Sequence, residues 1–178
     1  MKIPSTKQFN PIIRTIDNKL YAGKKPTLST LKNLKNNGIE TVIDLRPAKQ
    51  WSGVLLEKLK CILINIPHIW YPINLAEKMP EKEELINLNK IINKNSKTFV
   101  HCRSGIHSTN IVCGASSILR GEKTLNETLE NIIQSNYFYT NPNIKKTNNK
   151  INLRQKKLNR LAQRLTEFAE MFNTQIKK

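Results

Sequence analysis

The sequence has 178 residues, of which 30 are Lys or Arg and 13 are Asp or Glu, so its formal net charge is +17. This length fits one domain with an appendage and suffices to bury an apolar core, and the absence of a signal-peptide core or a long apolar run argues against secretion and membrane spanning. Three cysteines without short paired spacing exclude a disulfide framework and a cysteine zinc site, so we expect a reducing compartment, the cytoplasm, and no metal or cofactor.

The first half of the chain has the apolar patterns of short helices and strands. Leucines at helical spacing with a glycine stop indicate the first helix, and β-branched or apolar runs indicate buried strands. In chain order we predict a hairpin in residues 10–23, a helix in 27–37, a strand in 39–45, a helix in 53–60 and a strand in 61–66.

The second half is mostly helical. In chain order we predict a helix in residues 80–93, a strand in 98–101, helices in 109–119 and 125–134, a polar linker in 135–149 and a basic amphipathic helix in 149–174. The whole pattern predicts an α/β fold with a central, largely parallel sheet of four to five strands flanked by helices. We expect this domain to occupy residues 1–136, with the linker and basic helix in 137–178.

Residues 101–109 combine a strand end, a short glycine-containing loop and a helix start. Backbone N–H groups and a helix N-terminus converge in such a loop, which makes it a binding site for oxyanions. Cys102 ends the strand, and the same field stabilises a thiolate, lowers its pKa and makes it nucleophilic. The sequence therefore predicts a phosphate-binding loop centred on a cysteine.

This loop, His101-Cys102-x-x-Gly105-x-x-Ser108-Thr109, resembles the signature of the cysteine-dependent tyrosine and dual-specificity phosphatases. Residues 20–26 and 38–46 resemble the opening of the bacterial members, so the similarity extends over residues 19–136. It implies a dual-specificity phosphatase-like fold and a phosphomonoester hydrolase. One position departs from the signature, because Ser108 stands where the family has the arginine that grips phosphate.

The resemblance also implies roles for individual residues. Cys102 would be the nucleophile that carries a phosphoenzyme, with Thr109 or Ser108 donating to its thiolate. The aspartate that protonates the leaving group in this family is missing after residue 67, so we consider His68 and Asp44 as general acids. The phosphate-binding residues implied by the loop and by the strand end nearby are Arg103, Ser104, Gly105, Ile106, His107, Ser108 and Arg46, of which Arg103, His107 and Arg46 are candidates for the missing guanidinium.

Two other functions stay open at this point. Loss of the loop arginine is also expected of a catalytically impaired pseudophosphatase that binds a phosphorylated partner. The run Cys102-Arg103-Ser104-Gly105 also resembles the loop of rhodanese-type sulfurtransferases, with His107 as the second basic position.

The positive charge predicts acidic partners. We expect a phosphorylated substrate, either a phosphoprotein or a phosphoinositide or other phospholipid. The C-terminal helix could contact an acidic partner or a membrane surface. Nucleic acid is a less favoured ligand, because the sequence has no series of aromatic residues for stacking.

Overall fold

The computed structural model describes residues 13–74 and 80–138 and, further on, residues 159, 162, 163, 165–167, 169 and 170. The contacts between Cα atoms group the chain into two compact units, 1–113 and 114–178. The predicted boundary at residue 136 stays a prediction. None of the helices in the described ranges combines the length and the hydropathy that crossing a bilayer requires.

Ten helices and strands are described. In chain order they are β1 (Ile13–Thr15), β2 (Leu20–Lys24), α1 (Leu28–Asn36), β3 (Thr41–Asp44), α2 (Trp51–Leu63, preceded by a 3-10 turn at Ala48–Gln50), β4 (His68–Trp70), α3 (Lys82–Lys94), β5 (Thr98–Cys102), α4 (Ser108–Leu119) and α5 (Leu125–Phe138).

The strands form one sheet in the order β1-β2-β5-β3-β4. Strand β1 is antiparallel to β2, which confirms the predicted hairpin, and the other neighbours are parallel. Strand β5 is therefore central, and all five of its residues are buried. This confirms the predicted α/β fold with a largely parallel sheet.

Local sequence explains where the helices begin and end. The side chain of Thr27 accepts the N–H of Thr30 and caps α1, which ends before Gly38 at a φ of +81°. Helix α3 begins with a capping box in which Glu81 and Glu84 each bond the other's backbone N–H. These two helices were predicted correctly because both pattern and caps were present.

The predicted strand in residues 61–66 is wrong. Helix α2 continues to Leu63, and the chain then turns at Asn65, whose φ is +52°. Cys61 lies on the buried side of α2 together with Val54 and Glu57, at the spacing of a helix, while Leu63 is exposed. The apolar run in residues 61–66 fits a buried strand only if all of its residues are assumed to be buried. The next strand along the chain is β4.

The other differences concern the C-terminal part. Helix α5 extends to Phe138, so the predicted linker does not begin at residue 135. Residues 139–149 lie outside the described part of the chain, as does most of the predicted last helix. Its described residues are helical. Leu165, which the sequence places on the apolar side of this helix, is buried, and so is Ala169.

Candidate active site

The candidate site lies at the carboxyl end of β5. Cys102 is the last residue of this strand, and α4 begins at Ser108, so residues 103–107 form the loop between them. Lys24 of β2 is the register partner of Cys102, and Asp44 of β3 is that of His101. Because parallel strands end at the same edge of a sheet, residues after β2 and β3 come close to the loop.

Gly105 lets the loop pack directly on β2. Its φ is +74°, and a Cβ atom at this position would lie 2.4 Å from the carbonyl carbon of Gly23 and 2.6 Å from the backbone nitrogen of Lys24. From β1, Nη2 of Arg14 donates to the carbonyl of Gly105 and to Oδ1 of Asn110, each at 2.7 Å. A glycine and an arginine thus fix the loop in position.

The Cys102 thiol is almost fully buried, and the N–H of Gly105 donates to its Sγ at 3.2 Å. Burial alone would raise the pKa of this thiol. The Thr109 hydroxyl and the N–H groups of Thr109, Gly105 and Ser104 outweigh burial and lower the pKa below the ordinary value. Cys102 thus has the character of a nucleophile at a pH where an ordinary cysteine is protonated.

A second buried cysteine gives the contrast. Burial, together with the charges of Glu57 and Asp44, raises the pKa of Cys61 to about 12. Both thiols are buried, so the opposite shifts of their pKa values come from the groups that face them. Only the loop surrounds its sulfur with hydrogen-bond donors.

Five ionisable side chains form a buried network next to the loop. Arg46 donates from Nε to Asp44 at 2.9 Å and from Nη2 to Oε2 of Glu57 at 3.0 Å. Nε2 of His101 lies 2.6 Å from Oε1 of Glu57, and Nε2 of His68 lies 3.5 Å from the same oxygen. The side chains of these five residues are at most 2% exposed.

The ionisable groups of the network shift one another's pKa values. Burial opposes ionisation of Asp44 and Glu57, but His68, His101 and Arg46 hold the pKa of both carboxyl groups below the ordinary values. Burial also opposes the charged form of His68, yet the same two carboxylates raise its pKa. The two carboxylates thus face the guanidinium of Arg46 and the imidazole rings of His68 and His101.

The same network contains donor atoms of the types that bind metals. One ligand atom each of Asp44, Glu57, His68 and His101 lies within 4.8 Å of the others. However, the guanidinium of Arg46 already contacts both carboxylates. A divalent cation would have to compete with it for the same oxygens, so the donor set fits an ion network better than a metal site.

A comparison with protein families decides which of the resemblances holds. Residues 5–158 match the family described as "DSP-PTPase phosphatase fused to NAD+ Kinase". The chain belongs to this dual-specificity phosphatase family. No curated protein matches the sequence.

Solved phosphatase structures share the fold of this family member. TpbA of P. aeruginosa has a TM-score of 0.63 and 10% identity, and the match covers 89% of this chain and 89% of that chain. Tk-PTP in its active form has a TM-score of 0.63, 18% identity and coverage of 90% and 97%. The core catalytic domain of the PP-IP phosphatase SIW14 of S. cerevisiae has a TM-score of 0.57, 13% identity and coverage of 73% and 79%.

The loop residues of this family member differ in their exposure. Ser108, where the family arginine was expected, is buried, as is Thr109. Arg103 and His107 are exposed, and Ser104 and Ile106 are half-buried. The phosphate-binding roles of these side chains stay predictions.

The other three predicted residues lie in the buried network. Arg46, predicted as a phosphate ligand, is 1% exposed and also donates from Nη2 to the carbonyl of Gly53 at 3.1 Å. Asp44 and His68, predicted as general acids, both contact this network. Asp44 has a lowered pKa and therefore no proton to donate at neutral pH. His68 has a raised pKa, but its ring lies against the two carboxylates that raise it.

Sequence reasoning missed three residues of the site. Glu57 is the only carboxylate between Asp44 and Glu77, and it shares the apolar face of α2 with Cys61, which indicates a buried charge in need of a partner. His101 was seen only as part of the loop signature. Arg14 gave no signal, because its contacts to the loop depend on the pairing of β1 with β2.

Proposed function

We propose that this family member is a cysteine-dependent phosphomonoester hydrolase that acts through a phosphoenzyme on Cys102. The observation that carries the proposal is the position of the Cys102 thiol at the end of the central strand, where the N–H of Gly105 donates to its Sγ at 3.2 Å. Such donors also lower the pKa of the thiol. Those donors also suit the equatorial oxygens of a phosphoryl group.

The proposed reaction has two steps. The Cys102 thiolate attacks phosphorus, an S–P bond forms, and the ester P–O bond breaks to release an alkoxide or phenoxide. Water then attacks the phosphoenzyme, the S–P bond breaks and the thiolate is regenerated. Inorganic phosphate leaves with the oxygen and one proton of the water, and the second proton passes through solvent to the released alkoxide or phenoxide. The Thr109 hydroxyl, which helps to lower the pKa of the thiol, also favours departure of the thiolate in the second step.

Protonation of the leaving group is the weak point of this site. Asp44 and Glu57 are buried and held ionised, so neither supplies a proton to a leaving oxygen. A general acid contributes about 10²–10⁴-fold in rate, and that factor matters most for leaving groups of high pKa. We therefore expect a steep leaving-group dependence, with 4-nitrophenyl phosphate hydrolysed much faster than phenyl phosphate.

The test is hydrolysis of these two esters between pH 5 and 8 by the wild-type protein and by Cys102→Ser. We expect turnover of 4-nitrophenyl phosphate that is lost in the variant. Turnover that persists in Cys102→Ser would refute the proposed nucleophile.

A second candidate function is phosphate capture without hydrolysis. The observation that favours it is the buried Ser108 at the position of the family's arginine. Calorimetric titration with vanadate and with phosphate separates the two functions. Binding of both anions without any ester hydrolysis would support the binding protein and would contradict the hydrolase.

A further inference from the structure

Helix α2 exposes an unusually apolar face. In the described part of the chain, every large apolar side chain recorded as exposed belongs to this helix or is Trp70. Those of the helix are between 48% and 79% exposed, and they are Trp51, Leu55, Leu56, Leu59, Ile62 and Leu63. Contiguous apolar surface of this kind marks an interaction site.

These six residues form one broad stripe. At 3.6 residues per turn they span an arc of about 140° around the helix. The opposite side of α2, with Val54, Glu57 and Cys61, is buried. The helix is thus apolar on both sides, and the outer side is not needed for the core of its own domain.

The exposed charges of the segment that carries this stripe, residues 47–70, are all positive. Lys58 and Lys60 lie at its two edges, and the exposed Lys49 precedes the helix. Glu57 is the only carboxylate in residues 47–70, and it is buried in contact with Arg46 and His101. A stripe of Trp and Leu edged by lysines is the pattern of a helix that lies in the interface of an anionic lipid surface.

A second copy of the chain fits this face less well. Association of two α2 faces would bring the lysines of both copies together without an exposed carboxylate from this segment to pair with them. An anionic bilayer supplies the missing negative charge and accepts the apolar side chains. The net charge of +17 also favours binding to an anionic surface.

We infer that the Trp51–Leu63 helix docks this protein on an anionic lipid surface through its exposed apolar stripe. Binding buries the stripe at the level of the head groups, and the flanking lysines contact lipid phosphates. No helix of the described residues would need to cross the bilayer for this mode of attachment.

The first turn of α2 lies beside the candidate active site. The indole N–H of Trp70 donates to the carbonyl of Arg46 at 2.9 Å, and Arg46 in turn donates to the carbonyl of Gly53 in the first turn of α2. Nζ of Lys25 lies 3.7 Å from the place that a Cβ atom would occupy on Gly53. The backbone N–H of Lys25 donates to the carbonyl of Arg103 at 3.4 Å. Lys25 therefore links the first turn of α2 to the loop of Cys102.

Docking through α2 would bring the end of the helix that adjoins the loop to the level of the head groups. A phosphomonoester carried on a lipid head group then becomes the accessible substrate class. This consequence, unlike the docking itself, rests on the proposed function.

Intrinsic fluorescence is an unusually selective probe of this face, since Trp51 and Trp70 are the only two tryptophans of the chain. We expect a blue shift and an increase in intensity when the protein is mixed with vesicles of phosphatidylcholine and phosphatidylglycerol. Sedimentation with the same vesicles measures the bound fraction. Vesicles of phosphatidylcholine alone should bind much less protein.

Two variants separate apolar insertion from charge. Leu55→Gln with Leu59→Gln leaves the net charge unchanged and removes two exposed apolar side chains, so we expect about a tenfold or greater loss of partitioning. Lys49→Glu with Lys58→Glu should cause a loss of about tenfold or more at low salt. The matched control, Lys90→Glu with Lys94→Glu on exposed positions of α3, changes the net charge by the same amount and should retain most of the binding.

Three results would overturn the inference. The first is no vesicle binding by the wild-type protein. The second is binding that Leu55→Gln with Leu59→Gln leaves unchanged, which would assign it to another surface. The third is a wild-type dimer that the same variant converts to a monomer, without vesicle binding, which would make the face a contact between copies. Vesicle binding without hydrolysis of 4-nitrophenyl phosphate would instead refute the proposed function and leave the docking intact.

Discussion

Replacing Gly105 by alanine should be far more damaging than its single methyl group suggests. A φ of +74° costs an ordinary L-residue about 1–2 kcal/mol. The added Cβ would also lie 2.4–2.6 Å from three backbone atoms of β2, so the loop or the strand has to move. Forced repacking of this kind costs about 1–3 kcal/mol. Together we expect Gly105→Ala to lower the free energy of unfolding by about 2–5 kcal/mol.

The chain offers a matched control for this prediction. Gly121 has a φ of +69°, but a Cβ atom there would meet no atom within 4 Å. Gly121→Ala should therefore cost only the conformational part, about 1–2 kcal/mol. Urea unfolding of both variants measures the difference. Equal destabilisation by the two substitutions would refute the claim that the loop packs directly on the backbone of β2.

Three further predictions concern the thiol, the missing arginine and the buried network. Ser108→Arg should raise kcat/KM for 4-nitrophenyl phosphate about 100-fold, whereas Ser108→Lys, which lacks the planar guanidinium, should raise it much less. Equal gains in the two variants would argue against bidentate binding of the phosphate. Iodoacetamide at pH 7, followed by peptide mass spectrometry, should label Cys102 before Cys61, because only the first thiol has a lowered pKa, and the reverse order would contradict the assignment. Stability in urea should be highest between pH 4.5 and 6.5. The lowered pKa of Glu57 stabilises the fold fully above the ordinary value of 4.5, and this stabilisation is lost as the pH falls through the lowered value. The raised pKa of His68 stabilises the fold fully below the ordinary value of 6.5, and this stabilisation is lost as the pH rises through the raised value. His68→Asn should remove the loss at high pH, and an unchanged profile above pH 6.5 would count against the network.

The loop and the sheet could be predicted because their signals are local. Strand β5, the loop after Cys102 and helix α4 follow one another in sequence, so pattern and signature were sufficient. The strand predicted in residues 61–66 failed for the opposite reason. Whether an apolar residue such as Ile62 or Leu63 is buried depends on the rest of the fold, and here both are exposed.

The buried network could not be predicted from the sequence. Asp44, Glu57 and His101 lie on three different elements, and they meet because β3 pairs with β5 in a register that places Asp44 beside His101. His68 was considered as an acid because it follows residue 67, after which the family has its aspartate, and Asp44 because the chain has few aspartates. Their partners, above all Arg46, give them charges and surroundings that residue type does not reveal.

The most direct test of the account is detection of the phosphoenzyme. The protein is mixed with 4-nitrophenyl phosphate, quenched in acid within the first turnovers, and digested for mass spectrometry. We expect a phosphoryl group on the peptide that contains Cys102, and neither label nor turnover in Cys102→Ser. Hydrolysis by the wild-type protein without a phosphoryl group on Cys102, or hydrolysis that survives Cys102→Ser, would contradict it.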